Sequence, residues 1–285
     1  MLRLTRSHFL RRWLLGALGL FCAVTFAACG AGTPTGDTSA PSGGSPAATP
    51  AATITLKVAL DPTFPPFQSK NADGTLQGFD IDLINAIADA EGFAVDLQAL
   101  PFDGIIPALQ AGTMDATIST MTITKERAEV VDFTRPYFKA GLAIAVQESN
   151  TDITGFESLN GKRIAVQIGT TGEQEARKVP GADVRTFDNA PLALQELANG
   201  NVDAVINDAP VTLYALKSGQ VNGLKVVGQL LTEEYYGMAT PKGSPNLERL
   251  NSGLGTIIQN GKYREIYQKY FSGEPPTLPD AAPLS

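Results

Sequence analysis

Arg127 is the first candidate for ligand binding, because three hydroxyl side chains shortly precede it in the chain: Ser119, Thr120 and Thr122. A guanidinium presents two parallel N–H groups, and the nearby hydroxyl and backbone N–H groups add further donors at a predicted strand end. These donors suit a carboxylate, which accepts two charge-assisted hydrogen bonds side by side. A single arginine is more often a solvated surface residue, so the prediction depends on the cluster and not on Arg127 alone.

Acidic and aromatic side chains elsewhere could bind the rest of such a ligand. Asp208 precedes an Ala-Pro pair and could cap the next helix, or its carboxylate could accept hydrogen bonds from an ammonium group. Asp61 and Phe64 lie in the stretch DPTFPPF, and Phe102 lies in LPFDG. Two aromatic rings could hold an aliphatic or guanidinium chain between them, although either ring alone is more often part of a core.

The distribution of histidine and cysteine excludes most catalytic and metal chemistries. The only histidine is His8 and the two cysteines are Cys22 and Cys29, so no imidazole or thiol follows Cys29. Ser-His-Asp and Cys-His catalysis, the usual zinc sites and disulfides are thereby excluded from the rest of the chain, and we predict no metal and no cofactor. The net charge of −7 and the pI of about 4.8 argue against nucleic-acid binding. A mechanism based on the carboxylates of Asp61 and Asp208 stays formally open.

The N-terminal segment has the pattern of an export signal. MLRLTRSHFLRR is basic, the following run is apolar and uncharged, and two alanines directly precede Cys29. The pattern predicts a signal peptide over residues 1–28, since the apolar run is shorter than the roughly 20 residues that span a membrane. It resembles a lipoprotein signal with Cys29 as the lipidated first residue; an ordinary secretory signal is the alternative. Residues 29–52 are rich in Gly, Ser, Thr, Pro and Ala and predict a flexible linker. We therefore expect a monomer in the periplasm or at the outer face of the cell membrane, anchored by lipid.

From Ile54 onward, strand and helix patterns alternate, which is typical of parallel sheets that carry helices on their faces. The strand ITLKVAL, for example, precedes FDIDLINAIADAEG, whose apolar residues recur at helical spacing before a glycine. We also expect Asp103 to cap the helix GIIPALQAG, Thr124 to start the helix that contains Arg127, a helix over Glu173–Lys178, and a strand over DATIS.

Two short stretches repeat each other, GTMDATIST at residues 112–120 and GNVDAVIND at residues 200–208. In each, a helix is expected to end at the glycine, and the strand that follows ends in polar residues. KVALD, which ends at Asp61, and RIAVQ, which ends at Gln167, form a second such pair. Open α/β sheets bind ligands at the carboxyl ends of their strands, so the repeats predict two facing lobes with a ligand between them. Taken alone, each motif is also a common way to write a helix–strand corner.

From about Thr53 to Pro275 the chain resembles the solute-binding proteins of polar amino-acid ABC importers, family 3. The stretches that carry the resemblance are DPTFPPF, GFDIDL, FDGIIPALQAG, TMTITKERAEVVDFTRPY, VQIGTTG, VDAVINDAP, EYYGMATPKGS and NGKYREIYQKYF. The resemblance implies an α/β fold: a two-lobed clamshell of the type II periplasmic-binding-protein kind, each lobe a mostly parallel sheet flanked by helices. It implies two hinge crossings, near Tyr137–Gly141 and Thr232–Gly237. The implied divisions are lobe 1 over residues 53–137 and 237–273, lobe 2 over residues 138–236, and a tail over residues 274–285.

The resemblance also implies a set of ligand-binding residues. They are Asp61, Phe64, Phe102, Ser119, Thr120, Thr122, Arg127, Gln167, Thr170 and Asp208. Arg127 would bind the α-carboxylate of an amino acid, assisted by Thr120, Thr122 and Thr170. Asp208 and Ser119 would bind its α-ammonium group. The two phenylalanines would enclose the ligand side chain, and Asp61 would contact its far end. Gln167 occupies a position that carries lysine in glutamine-binding relatives, and VQIGTTG is closer to the arginine-type members.

The charges of these residues predict a basic ligand. Arg127 balances the α-carboxylate and Asp208 balances the α-ammonium group, which leaves Asp61 unbalanced in a cleft where uncompensated charge is costly. We therefore expect arginine, lysine or protonated histidine, with glutamine next and glutamate excluded. The implied partner is the membrane permease of an ABC importer. The alternatives are a dehydratase-like enzyme acting on prephenate or arogenate and a ligand-sensing receptor component.

Overall fold

The structure is a computed structural model and describes residues 54–283. The predicted signal peptide, Cys29 and the linker lie outside the described residues. The strands are β1 Thr55–Leu60, β2 Thr63–Phe64, β3 Gln68–Lys70, β4 Leu76–Gln77, β5 Ala94–Ala99, β6 Ala116–Thr117, β7 Val131–Phe133, β8 Phe138–Ala140, β9 Leu142–Gln147, β10 Arg163–Gln167, β11 Asp183–Phe187, β12 Ala204–Asp208, β13 Leu224–Val227, β14 Glu234–Tyr236 and β15 Ala239–Pro241. The α-helices are α1 Phe79–Glu91, α2 Phe102–Gln110, α3 Lys125–Val130, α4 Thr171–Arg177, α5 Ala190–Ala198, α6 Ala209–Lys217, α7 Asn246–Gln259 and α8 Lys262–Tyr270. None of the helices within residues 54–283 is long and apolar enough to span a membrane.

Two five-stranded sheets form the two lobes and share one topology, β5-β1-β6-β15-β7 in lobe 1 and β11-β10-β12-β9-β13 in lobe 2. In each sheet the fourth strand in this order is antiparallel to both of its neighbours, and the other strands run in one direction. The reversed strand, β15 or β9, directly follows a crossing from the other lobe, so it enters its sheet without the helical crossover that parallel neighbours need. The predicted pair of similar, mostly parallel lobes is confirmed.

Helix α1 illustrates how the apolar pattern builds the core of lobe 1. Its buried apolar positions recur at helical spacing and are Phe79, Ile81, Leu83, Ile84, Ile87 and Ala88. This face packs against α7, α8 and β5, and each large side chain that it buries contributes about 1.5–3 kcal/mol. The helix ends where Gly92 adopts the left-handed conformation with a φ of 69°. Because Leu83 is fully buried, its replacement by alanine should cost about 2–5 kcal/mol.

The chain passes between the lobes at β8 and β14, which pair with each other antiparallel, so that Lys139 lies opposite Tyr235. Gly141 directly follows β8, and a Cβ atom at this position would lie 2.2 Å from the carbonyl oxygen of Thr232. Only glycine therefore permits the two segments to approach so closely. A ribbon of two short strands resists bending less than a five-stranded sheet does. That the ribbon acts as a hinge stays a prediction, as do the lobe boundaries.

Three local predictions differ from the structure. Asp103 lies within the first turn of α2, which has no side-chain capping bond, because the helix begins earlier than its apolar pattern indicates. Helix α4 begins at Thr171 and not at Glu173, since Thr170 caps it by accepting a hydrogen bond from the Glu173 N–H at 3.2 Å. The predicted strand DATIS has regular strand geometry only over β6, because the backbone soon turns at Thr120, whose φ is 47°.

Candidate functional site

A pocket between the two lobes contains every ligand-binding residue predicted from the sequence. Its lining residues are Asp61, Phe64, Phe102, Ser119, Thr120, Thr122, Arg127, Gln167, Thr170, Thr171 and Asp208. Carboxyl ends of β1 and β6 in lobe 1 face those of β10 and β12 in lobe 2, as expected for open α/β sheets. That these residues bind a ligand stays a prediction.

The Arg127 side chain is buried and oriented by both lobes. Thr124 begins α3 as predicted, because its hydroxyl accepts a hydrogen bond from the Arg127 N–H. The guanidinium donates from Nη1 to the carbonyl oxygen of Thr122 at 2.8 Å and from Nη2 to that of Gly169 in lobe 2 at 3.0 Å. Burial lowers the pKa of Arg127 to about 10, although the negative charges of Glu234 and Asp208 oppose that shift. The group is therefore still charged near neutral pH.

The two predicted aromatic residues have different environments. Phe102 begins α2, and its ring centroid lies 5.4 Å from Cζ of Arg127, within range of a cation–π contact. Phe64 lines the pocket and also belongs to the buried cluster of lobe 1, which Ala190 and Val211 of lobe 2 join. Phe64 is therefore both a core residue and a pocket residue.

Asp61 lies at the end of β1 and is 5% exposed. Its Oδ1 accepts hydrogen bonds from the hydroxyl of Thr63 at 2.7 Å and from the Thr63 N–H at 3.2 Å. Its Oδ2 accepts from the side-chain amide of Gln167 in lobe 2 at 2.8 Å, and its backbone N–H donates to Ser119 Oγ at 3.0 Å. Burial raises the pKa of Asp61, and the hydrogen bonds from Thr63 and Gln167 oppose that rise. The donors to this carboxylate are all neutral.

Asp208 ends β12 and stands at the N-cap position of α6, but its side chain does not cap the helix. Its Oδ2 instead accepts a hydrogen bond from the hydroxyl of Tyr236 on the crossing strand β14. The capping alternative is therefore wrong, because a partner distant in the sequence takes the carboxylate. Burial raises the pKa of Asp208 to about 7, and the negative charge of Glu234 adds to that rise, while the hydrogen bond from Tyr236 opposes it.

Glu234 is a buried carboxylate that the sequence-based reasoning missed. It is 6% exposed and lies on β14, next to the pocket. Its Oε2 accepts hydrogen bonds from the hydroxyls of Thr122 at 2.6 Å and Thr171 at 3.1 Å, and its Oε1 accepts from Thr232 at 3.0 Å. The stretch EYYGM contributed to the family resemblance, yet no chemistry was assigned to its glutamate. Glu234 begins β14, whose other two residues are tyrosines, and a charged residue in that position was the signal that could have identified this carboxylate.

Thr120 owes its conformation to a second buried carboxylate that was also missed. Within residues 54–283, Thr120 is the only residue other than glycine with a positive φ. Its N–H donates to the Tyr137 hydroxyl at 3.0 Å and to Asp80 Oδ2 at 3.2 Å, and that hydroxyl also donates to Asp80 Oδ2 at 3.0 Å. Asp80 is fully buried, and burial raises its pKa to about 7 against the hydrogen bonds that it accepts. Asp80 and Tyr137 thus hold the pocket backbone at Thr120 in an otherwise unfavourable conformation.

Two similar lobes with a closed polar pocket between them define a ligand-binding protein of the clamshell class. The chain belongs to the bacterial extracellular solute-binding proteins, family 3, whose model matches residues 56–273. It is 32% identical over 272 residues to a probable histidine-binding protein of Neisseria gonorrhoeae, across 93% of this chain and 97% of that protein.

Solved structures agree with this family and with the two-lobed fold. An ancestral arginine-binding protein bound to arginine is 47% identical, with a TM-score of 0.74, and the match covers 76% of this chain and 98% of that chain. An ancestral amino acid-binding protein that is a precursor of cyclohexadienyl dehydratase is 42% identical, with a TM-score of 0.71, over 76% of this chain and 96% of that chain.

Proposed function

We propose that the protein captures a basic amino acid outside the cytoplasm and delivers it to the membrane permease of an ABC importer. Asp61 is the observation that carries the preference for a basic ligand. Its carboxylate is 5% exposed and receives hydrogen bonds from the neutral side chains of Thr63 and Gln167. Neutral donors solvate a buried charge but do not balance it, so a cationic ligand group beside Asp61 is favoured.

Glu234 adds to the negative charge that the sequence-based count omitted. The buried groups at the closed site are the cation Arg127 and the carboxyls of Asp61, Asp208 and Glu234. With these carboxyls ionised, negative charge exceeds positive charge around a zwitterionic ligand. A ligand side chain with a charge of +1 reduces this excess, and one with a charge of −1 increases it. The arginine-bound ancestral protein and the probable histidine-binding relative support the same class of ligand.

We assign the α-carboxylate of the ligand to the corner at Arg127, where the guanidinium and the hydroxyl of Thr120 lie beside Thr122 and Thr170. The hydroxyls of Thr122 and Thr170 already donate to Glu234 and to the carbonyl oxygen of Gln167, so these two residues shape the corner through their backbone. We assign the α-ammonium group to the opposite carboxylate, Asp208, with Ser119 beside it. The ligand side chain then extends between the two phenylalanines of the pocket toward Asp61 and Gln167.

Isothermal titration calorimetry against the twenty standard amino acids tests this function. We expect arginine or lysine to bind most tightly, glutamine to bind more weakly and glutamate to give no detectable heat of binding. A ranking led by glutamate or by an aliphatic amino acid would contradict the charge argument. No binding to any amino acid would contradict the proposed function itself.

A dehydratase activity is the second candidate, favoured by the likeness to the precursor of cyclohexadienyl dehydratase. Asp208, whose pKa burial raises to about 7, would be suited to proton transfer near neutral pH. Incubation with prephenate or arogenate, followed by chromatography, tests it. Phenylpyruvate or phenylalanine formed by the parent but not by Asp208→Asn would establish the enzyme, and its absence would leave amino-acid binding as the function. A ligand-sensing receptor component is the remaining alternative.

We further propose a lipid anchor at Cys29 and a monomeric state. The export-signal pattern before Cys29 supports the anchor. Intact-mass measurement should find a mature chain that begins at Cys29 and carries acyl mass, and a chain that begins later would contradict it. Size-exclusion chromatography with light scattering should give the mass of one chain.

A further inference from the structure

We propose that Glu234 is a positioning residue that joins the two halves of the carboxylate corner when the lobes close. This role rests on the proposed function, because Glu234 would control how tightly the protein binds its amino acid. Glu234 lies on the crossing strand β14, between the lobes, and its carboxylate is buried. It is therefore placed to contact both lobes at once.

A single oxygen of Glu234 accepts one hydrogen bond from a hydroxyl group of each lobe. Oε2 accepts from Thr122 of lobe 1 at 2.6 Å and from Thr171 of lobe 2 at 3.1 Å. Hydrogen bonds to a buried charged acceptor are stronger than those between neutral groups. In the hinge motion that the two crossings predict, lobe 2 moves relative to lobe 1, so both bonds exist together only when the lobes are closed.

Both hydroxyls belong to residues that shape the carboxylate corner. The carbonyl oxygen of Thr122 accepts from Arg127 Nη1, which orients the guanidinium. Thr171 is the first residue of α4, the helix whose N-terminal end lines the pocket. Arg127 Nη2 also reaches lobe 2 at the carbonyl oxygen of Gly169. Glu234 thus holds the lobe 1 and lobe 2 sides of this corner in register.

This role predicts an effect that does not depend on the ligand side chain. Loss of the two bonds lowers the population of the closed state, and apparent affinity falls with the competent fraction for every ligand. Glu234→Ala should therefore weaken arginine, lysine and glutamine each by tenfold or more, and any additional loss of the two cationic ligands should equal that of Glu234→Gln, which removes the charge alone. A residue that acted only through its charge would leave the affinity for glutamine unchanged.

The matched control is Glu233→Ala. Glu233 precedes Glu234 directly, is 59% exposed and pairs with Lys139 at 2.8 Å. It carries the same charge without a contact to either wall of the pocket, so its removal should leave the three affinities within twofold of the parent. Glu234→Gln keeps an acceptor oxygen and should bind within about fivefold of the parent. A loss as large as that of Glu234→Ala would assign the effect to charge and overturn the positioning role.

A double-mutant cycle tests the contact with lobe 2. Thr171→Val removes the hydroxyl that donates to Glu234 and keeps the shape of the side chain. In the Glu234→Ala background it should cause little further loss of arginine affinity, since its acceptor is already absent. Additive losses would overturn the inference, and Thr171→Val with Glu234→Gln carries the test if Glu234→Ala does not fold. A parent that binds no amino acid refutes the proposed function and this inference with it, whereas a binding parent with an unaffected Glu234→Ala refutes the inference alone.

Discussion

The replacement of Asp61 by asparagine separates the charge of this side chain from its shape. Oδ1 of the new asparagine can still accept the two hydrogen bonds from Thr63. Its Nδ2 replaces Oδ2, the atom that accepts a hydrogen bond from Gln167 Nε2 in the parent, so two donor groups would face each other. Gln167 can turn its amide and present its oxygen instead, at the cost of the bond from its Nε2 to the carbonyl oxygen of Asp188 at 3.2 Å. Neutral contacts around the site therefore change little, and the loss of one negative charge dominates.

The size of the effect follows from the burial of the carboxylate. Two opposite unit charges about 4 Å apart attract by about 4 kcal/mol at an effective dielectric constant of 20. Part of this is offset by desolvation of the ligand cation, so we expect arginine to lose about 2–3 kcal/mol, roughly 30- to 150-fold in Kd. Glutamine exchanges a hydrogen bond to a charged acceptor for one to a neutral acceptor, a loss of about 1 kcal/mol or roughly fivefold. The preference for arginine over glutamine should thus fall by about tenfold.

Titration calorimetry of parent and Asp61→Asn with arginine, lysine and glutamine at one pH and ionic strength measures this change. The chain offers a matched control in Asp73→Asn. Asp73 is exposed, and its Oδ1 accepts from the N–H and hydroxyl of Thr75 at 3.0 and 2.7 Å, as Asp61 does from Thr63. Asp73→Asn should leave all three affinities unchanged. Equal losses for arginine and glutamine in Asp61→Asn would refute the assignment of Asp61 to the charged end of the ligand.

Three further predictions concern the rest of the site and the crossing. Arg127→Ala should weaken all amino acids by about 2–5 kcal/mol, because it removes one partner of a buried charge pair, and Arg127→Lys should also lose the bidentate fork; parent-like calorimetric affinities would place the carboxylate elsewhere. Burial raises the pKa of Asp80 from its ordinary value of 3.8 to about 7, so its contribution to stability is fully present below about pH 4 and is lost as pH rises to about 7. The parent should therefore lose more thermal stability between about pH 4 and 7 than Asp80→Asn does, and parallel calorimetric profiles would contradict this. Gly141→Ala should lower the Tm, because its Cβ would lie 2.2 Å from the carbonyl oxygen of Thr232. Each kcal/mol of lost stability corresponds to about 2–4 °C, and an unchanged Tm would show that the chain between the lobes tolerates a side chain at this position.

The amino-acid sequence by itself determined the two lobes and the composition of the pocket. Strand and helix periods are local properties, so α1 and its glycine terminus could be predicted from a window of residues. The carboxyl ends of parallel strands share one edge of a sheet. Two facing sheets therefore place the polar residues at the ends of β1, β6, β10 and β12 close together. The N-cap role of Thr124 followed from local pattern for the same reason.

Only the tertiary structure decided which partners the buried charges have. The hydroxyl of Thr122 donates to Glu234, which is 112 positions away in the chain, and no local pattern specifies a contact across that separation. The local sequence favoured Asp208 as a helix cap. Its carboxylate instead accepts a hydrogen bond from Tyr236, because β14 crosses beside the end of β12. The positive φ of Thr120 likewise depends on Asp80, brought close by the packing of α1. Burial then raised the pKa of Asp80 and of Asp208 to about 7, because the charged form of a carboxyl group loses its hydration when the folded chain surrounds it.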